Sequence, residues 1–114
     1  MKNKHYMRLN NEPFLLIKSG SKKIELRLND EKRKLIKKND IIEFTNRDTL
    51  EVLCAEVIDL HYFKDFCELY KNFDLVSLGY KNNEEGSFKD MEKYYSNEEQ
   101  EKYGVVGIEL RVIS

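Results

Sequence analysis

From Gly20 the chain reads Ser21-Lys22-Lys23-Ile24-Glu25-Leu26-Arg27-Leu28, and this run constrains the fold more than any other. Ile24, Leu26 and Leu28 alternate with Lys23, Glu25 and Arg27. That two-residue period predicts a strand with one apolar and one charged face. Short runs of similar character recur between turn signals. Tyr6-Met7-Arg8-Leu9 reads as a first strand, and Ile41-Ile42-Glu43-Phe44 follows the turn residues Asn39-Asp40. Residues 50–62 carry Val52, Ala55, Val57, Ile58 and Leu60 over a length that requires a bulge if one strand is to bend around a small barrel. A last strand, 105–112, follows Gly104.

Helical signals are short and lie between these runs. Asn10-Asn11-Glu12-Pro13 supplies polar capping groups and a preset φ, so 14–18 is expected to be a helix turn or two, closed by Gly20. Asn29-Asp30 can cap a short basic helix through Leu35-Ile36. Phe63, Phe66, Cys67 and Tyr70 recur at helical spacing, and Ser87 can cap a helix carrying Met91, Tyr94 and Tyr95. Ser96-Asn97-Glu98-Glu99 fits a capping box. The polar residues 81–85, with Gly79 and Gly86, mark an exposed connection. Five or so strands with short helices and no regular βα alternation predict an α+β fold in which a strongly curved sheet has helices at its openings.

At 114 residues the chain fits one core. Charged residues make up 36% and hydrophobic ones 40%, which excludes disorder and collagen-like sequence. The absence of a long apolar run or an apolar leader predicts a cytoplasmic protein that avoids membranes, with a monomer favoured. Cys54 and Cys67, with His5 and His61, are too few and too scattered for a disulfide scaffold or a zinc site, so both thiols are expected reduced in the core and neither metal nor cofactor is expected. His61 and Cys67 stand six apart without a partner at usable spacing.

The net charge of −1 conceals a division along the chain. Residues 1–38 hold twelve basic and four acidic side chains, and the remainder carries the compensating negative charge. A basic patch attracts a polyanion, although a solvated charged face needs no partner. Within it, Lys22, Glu25 and Arg27 are the candidate chemistry. A carboxylate between cations stays ionised, and a lysine shielded from water moves toward neutrality. The alternative is a surface ladder of salt bridges that needs no ligand.

The spacing Gly20-x-Lys22-x-x-Glu25-x-Arg27 resembles the signature of the ASCH domain family, whose fold resembles the RNA-binding PUA domain. Pro13-Phe14-x-x-Ile17-Lys18, Asn39-Asp40-Ile41-Ile42-x-Phe44, Glu85-Gly86 and Tyr103-Gly104-Val105-Val106-Gly107-Ile108 agree in order. The resemblance spans most of residues 1–114. It implies a PUA-like β-pseudobarrel of about five to six strands with short peripheral helices, and a cleft beside the first helix. Such proteins are thought to bind RNA or nucleoside-like ligands. The cleft would take Lys22, Glu25, Arg27 and Glu85, with Phe14 and Lys18 from the helix. Strict alternation favours Lys23 over Lys22, whereas the family pattern and a turn after Gly20 favour Lys22.

Some family members resemble small amidohydrolases that deacetylate N(4)-acetylcytidine with a lysine, a threonine and a glutamate. Here Lys22 matches the lysine and Glu84 or Glu85 the glutamate, but Glu25 stands where the threonine would. A carboxylate has no hydroxyl to activate, and nothing aims Ser21 at Lys22. A water route through Lys22 with Glu25 or Glu85 as base remains. The binding reading asks less. Lys22, Arg27 and the basic run Lys32-Arg33-Lys34 would meet phosphates, while Tyr62, Tyr80, Tyr94 and Tyr95 are candidates to stack on bases. A protein-interaction module with a basic face is a third possibility.

Overall fold

A computed structural model describes residues 2–113. Five strands form one curled sheet: β1 (Lys4–Leu9), β2 (Ile24–Leu28), β3 (Ile41–Asn46), β4 (Val52–Phe63) and β5 (Val105–Val112), in the order β1-β3-β4-β5-β2. β1 runs parallel to β3, and the other neighbours are antiparallel. The long β4 is continuous, with the expected irregularity as a register shift between Val57 and Asp59 that lets it turn with the sheet. The result is α+β, a half-barrel of the PUA-like pseudobarrel kind.

The helices are α1 (Asn11–Lys18), α2 (Phe66–Tyr70) and α3 (Asn97–Tyr103). Gly20, at φ 85°, turns the chain out of α1 in a conformation that other residues rarely adopt. Ser96 and Glu99 make the reciprocal capping box at α3. Two helical expectations shrink to 3₁₀ segments. The basic run 30–36 keeps only Arg33–Leu35, because Ile36 is extended and buried in the core and pulls the chain away after one turn. The segment after Ser87 is likewise a 3₁₀ helix, Phe88–Lys93, capped by Ser87 and Asp90.

Alternation divides the apolar residues between the two faces of the sheet. Inside the curl, Phe14 and Ile17 of α1 pack with Ile42, Phe44, Ala55, Val57, Val106 and Ile108. On the other face Ile24, Leu26 and Leu28 pack with Phe66, Leu69, Leu78 and Val105. Glu25 is paired with Ile108 and Arg27 with Val106, so both charged side chains belong to the inner face. The charged face of β2 is therefore turned inward, and Glu25 is buried. Asn39, at φ 76°, takes the left-handed turn before β3, a conformation that asparagine tolerates better than most residues. Cys54 and Cys67 are free thiols as expected, though half-buried rather than in the core.

Candidate functional site

The end of α1 sets the geometry of the site. The Lys22 amide donates to the Leu16 carbonyl at 3.0 Å, and the amides of Lys23 and Ile24 both donate to Ser77 O, at 2.9 and 3.0 Å. These bonds hold residues 21–23 in a turn, so strand alternation begins only at Ile24. Lys23 is exposed, while the Lys22 stem lies against Gly79, where an added Cβ would come within 3.0 Å of Lys22 Cδ. The stem thus lies where the side chain of any other residue at 79 would need room.

Lys22 Nζ reaches Glu25 Oε1 at 2.8 Å, and Arg27 Nε donates to Glu25 Oε2 at 2.7 Å. The three side chains are 10%, 4% and 14% exposed, which separates them from a surface salt-bridge ladder. Oε1 is enclosed by the protein, with the Lys22 ammonium as its charged neighbour. Burial alone would push the Glu25 pKa up, but the charges of Lys22 and Arg27 and their hydrogen bonds outweigh it and hold the carboxyl below its ordinary value. Arg27 continues across the open seam of the half-barrel, where Nη2 donates to the Arg8 carbonyl at 3.2 Å.

The facing wall comes from the connection after α2 and the following 3₁₀ helix. The Tyr80 hydroxyl donates to Asp90 Oδ2 at 2.7 Å and stands 2.8 Å from the Tyr70 hydroxyl. Tyr80 has one hydroxyl proton, so Tyr70 must be the donor of that second bond. Burial, followed by the donation of its proton to Asp90, raises the Tyr80 pKa, and the Tyr80 bond lowers that of Asp90. Gly86 admits the Tyr80 ring: a Cβ there would lie 2.5 Å from it.

Between these walls lies a cleft of about 620 Å³. Lys22, Glu25, Arg27, Glu84 and Glu85 line it, as do Tyr80, Tyr94 and Tyr95. Glu84 closes a local turn by accepting from the Lys81 amide at 2.7 Å, whereas Glu85 makes no such bond among the described residues. Other expectations are corrected. Phe14 is completely buried inside the curl, because the core stripe of α1 is Phe14 and Ile17, while Pro13 and Leu16 face the cleft. Lys18 is ion-paired with Glu51 outside the cleft. Tyr62 is exposed on β4, and Lys32, Arg33 and Lys34 are elsewhere, with Arg33 on Asp30 and Lys34 on Glu31. His61 bonds Glu109 at 2.9 Å, away from the cleft.

Residues not anticipated also line the cleft, among them Arg8, Arg47, Tyr70 and Asp90. Long-range pairing brings them there, and the only local signal was the Pro13/Leu16 stripe beside the Phe14/Ile17 stripe on α1. Among the described residues, no serine, threonine, cysteine or histidine lines the cleft. Among the described residues no group of three or more metal-ligating side chains converges, and no helix is long and apolar enough to cross a membrane.

Comparison with solved structures places this geometry in a family context. The chain is similar to the hypothetical protein PH0355, with 35% identity and a TM-score of 0.80, over 96% of this chain and 99% of that one. It is similar to protein PF0455 from Pyrococcus furiosus, with 31% identity and a TM-score of 0.69, over 97% and 98% of the two chains. An ASCH protein from Zymomonas mobilis shares the fold at 15% identity, with a TM-score of 0.69, over 96% of this chain and 67% of that one. No curated protein matches the sequence. Residues 7–114 match the model of the ASCH domain, so the chain belongs to the ASCH domain family, whose PUA-like fold is generally thought to bind RNA.

Proposed function

We propose that the cleft binds RNA or a modified nucleoside, with Lys22, Glu25, Arg27 and Glu85 as ligand-contacting residues. One observation carries the reading: an ionised carboxylate, 4% exposed and held between Lys22 and Arg27, forms part of the wall of a cleft of about 620 Å³. Sites for small organic ligands commonly have volumes of about 300–1,000 Å³, with a few convergent polar groups. Glu25 would accept hydrogen bonds from an exocyclic amino group or ribose hydroxyls, and Lys22 would donate to a base carbonyl. The half-exposed ring of Tyr94, beside Tyr95, offers a stacking surface.

Hydrolysis of an acylated cytidine is less well supported. Among the described residues the lining has no serine, threonine or cysteine nucleophile, and a Glu25 held ionised by two cations is a weak base. Only water activated by Glu85 against an oxyanion held by Lys22 fits the residues present. The experiment has two arms. Incubation with N(4)-acetylcytidine, followed by mass detection of cytidine, is expected to show no turnover above that of Lys22→Ala. Calorimetric titration with nucleosides and with short single-stranded RNA is expected to show binding that Lys22→Ala weakens. Binding of none of these ligands at millimolar concentration would overturn the proposal, and turnover lost in Lys22→Ala would replace it with the hydrolase.

A further inference from the structure

The chain has five arginines, and they fall into two groups. Arg27 is paired with Glu25, Arg33 with Asp30 and Arg111 with Glu56. Arg8 and Arg47 have no carboxylate partner among the described residues, and both are exposed on the lining of the cleft. The backbone brings their segments together. Parallel pairing sets Arg8 opposite Thr45 and Leu9 opposite Asn46, and the Arg47 amide then donates to the Leu9 carbonyl at 2.8 Å. Arg27 ties this lip to the floor of the cleft, with Nε on Glu25 and Nη2 on the Arg8 carbonyl.

We propose that Arg8 and Arg47 form a phosphate subsite. The occupant of the cleft is then a nucleotide, free or within a chain, with its base or ribose at Glu25 and its phosphate on this lip. The inference rests on the nucleoside reading above and specifies it further. Guanidinium groups stay charged and match phosphate oxygens with paired donors, so two without a protein partner at one edge of a site suit that anion. The role first given to Lys32-Arg33-Lys34 passes to residues that line the cleft. The carboxylate on the same lip is Glu12, which opposes an anion there.

Calorimetry with the four common ribonucleosides, their 5′- and 3′-monophosphates, a dinucleoside monophosphate and inorganic phosphate tests this. A monophosphate is expected to bind about tenfold or more tightly than its nucleoside, with a preference that weakens as salt rises. The Arg8→Gln/Arg47→Gln double variant should bring the two toward parity, losing far more affinity for the monophosphate than for the nucleoside, and Glu12→Gln should increase the preference. Both arginines are exposed, and an unchanged thermal unfolding curve checks that the double variant folds. Tighter binding of the dinucleoside monophosphate than of any monophosphate would identify a chain as the source of the phosphate, and the reverse a free nucleotide. Equal affinity of nucleoside and monophosphate, a preference that survives the double variant, or inorganic phosphate binding as tightly as the nucleotide would each overturn the inference. In those cases the nucleoside reading stands if nucleosides bind, whereas silence from every probe removes both.

Discussion

Replacing Lys22 by methionine keeps the stem that packs on Gly79 and removes only the ammonium. At 2.8 Å and an effective dielectric of about 20, the attraction between Lys22 and Glu25 is about 6 kcal/mol. Against this stands the cost of keeping both groups from water, which the variant relieves for the lysine but not for Glu25. Arg27 remains on the other carboxylate oxygen, so the loss should fall short of the 3–5 kcal/mol typical of stranding a buried charge, at about 2–3 kcal/mol. The pH dependence gives a second check. The folded pKa of Glu25 is depressed, so its contribution is present above the ordinary glutamate pKa of 4.5 and is lost as pH falls through the folded value. Urea unfolding of Lys22→Met should therefore show its full deficit at pH 7 and a smaller one in acid. Lys23→Met, at the exposed neighbour, should stay within about 0.5 kcal/mol of the parent at both pH values. Equal stabilities of the two variants at pH 7, or a Lys22→Met deficit that persists unchanged in acid, would refute the reasoning.

Gly86→Ala sets a Cβ against the Tyr80 ring at 2.5 Å, and the expected result is a loss of about 1–3 kcal/mol in thermal unfolding together with weaker nucleoside binding. Ser96→Ala removes the acceptor for the Glu99 amide and should cost about 1 kcal/mol by urea unfolding without affecting the cleft. Asp40 is buried and accepts from His5 Nε2 and from the amides of Asn3 and Lys37. Asp40→Ala should lose about 2–3 kcal/mol at pH 7. Its folded pKa is depressed, so that deficit should shrink as pH falls below the ordinary aspartate range, which a pH series of unfolding curves checks.

The parts of the fold that local chemistry determines were legible in the sequence. Alternation marked β2, excess length marked the bend in β4, and serine with a glutamate three residues later marked the start of α3. The site was legible where it is local, because Lys22, Glu25 and Arg27 lie within six residues of one another. What the sequence hid was long-range. Parallel pairing of β1 with β3 brings Arg8 and Arg47 to one lip, and the return of the chain after α2 brings Tyr70, Tyr80 and Asp90 to the other wall. Phe14 was misassigned because neighbours on a helix point about 100° apart: being next to Pro13, which faces the cleft, turns Phe14 into the core. The 3₁₀ segments were read as longer helices because their caps are genuine, while their ends depend on where Ile36 and Tyr95 are packed.

The direction of the Tyr70–Tyr80–Asp90 bonds has a consequence for how any occupant must lie. Tyr80 commits its single proton to Asp90, so this wall, with Glu84 and Glu85, offers mainly lone pairs, apart from Lys93. The other side carries the protons of Arg8, Arg47 and Lys22, with the carboxylates of Glu12 and Glu25 among them. An anionic group laid on the Tyr80 wall would meet lone pairs, whereas on the Arg8 and Arg47 lip it would meet protons. If the cleft takes a ligand as proposed, asymmetry of hydrogen-bonding sense rather than tightness of fit would select the orientation in which it enters.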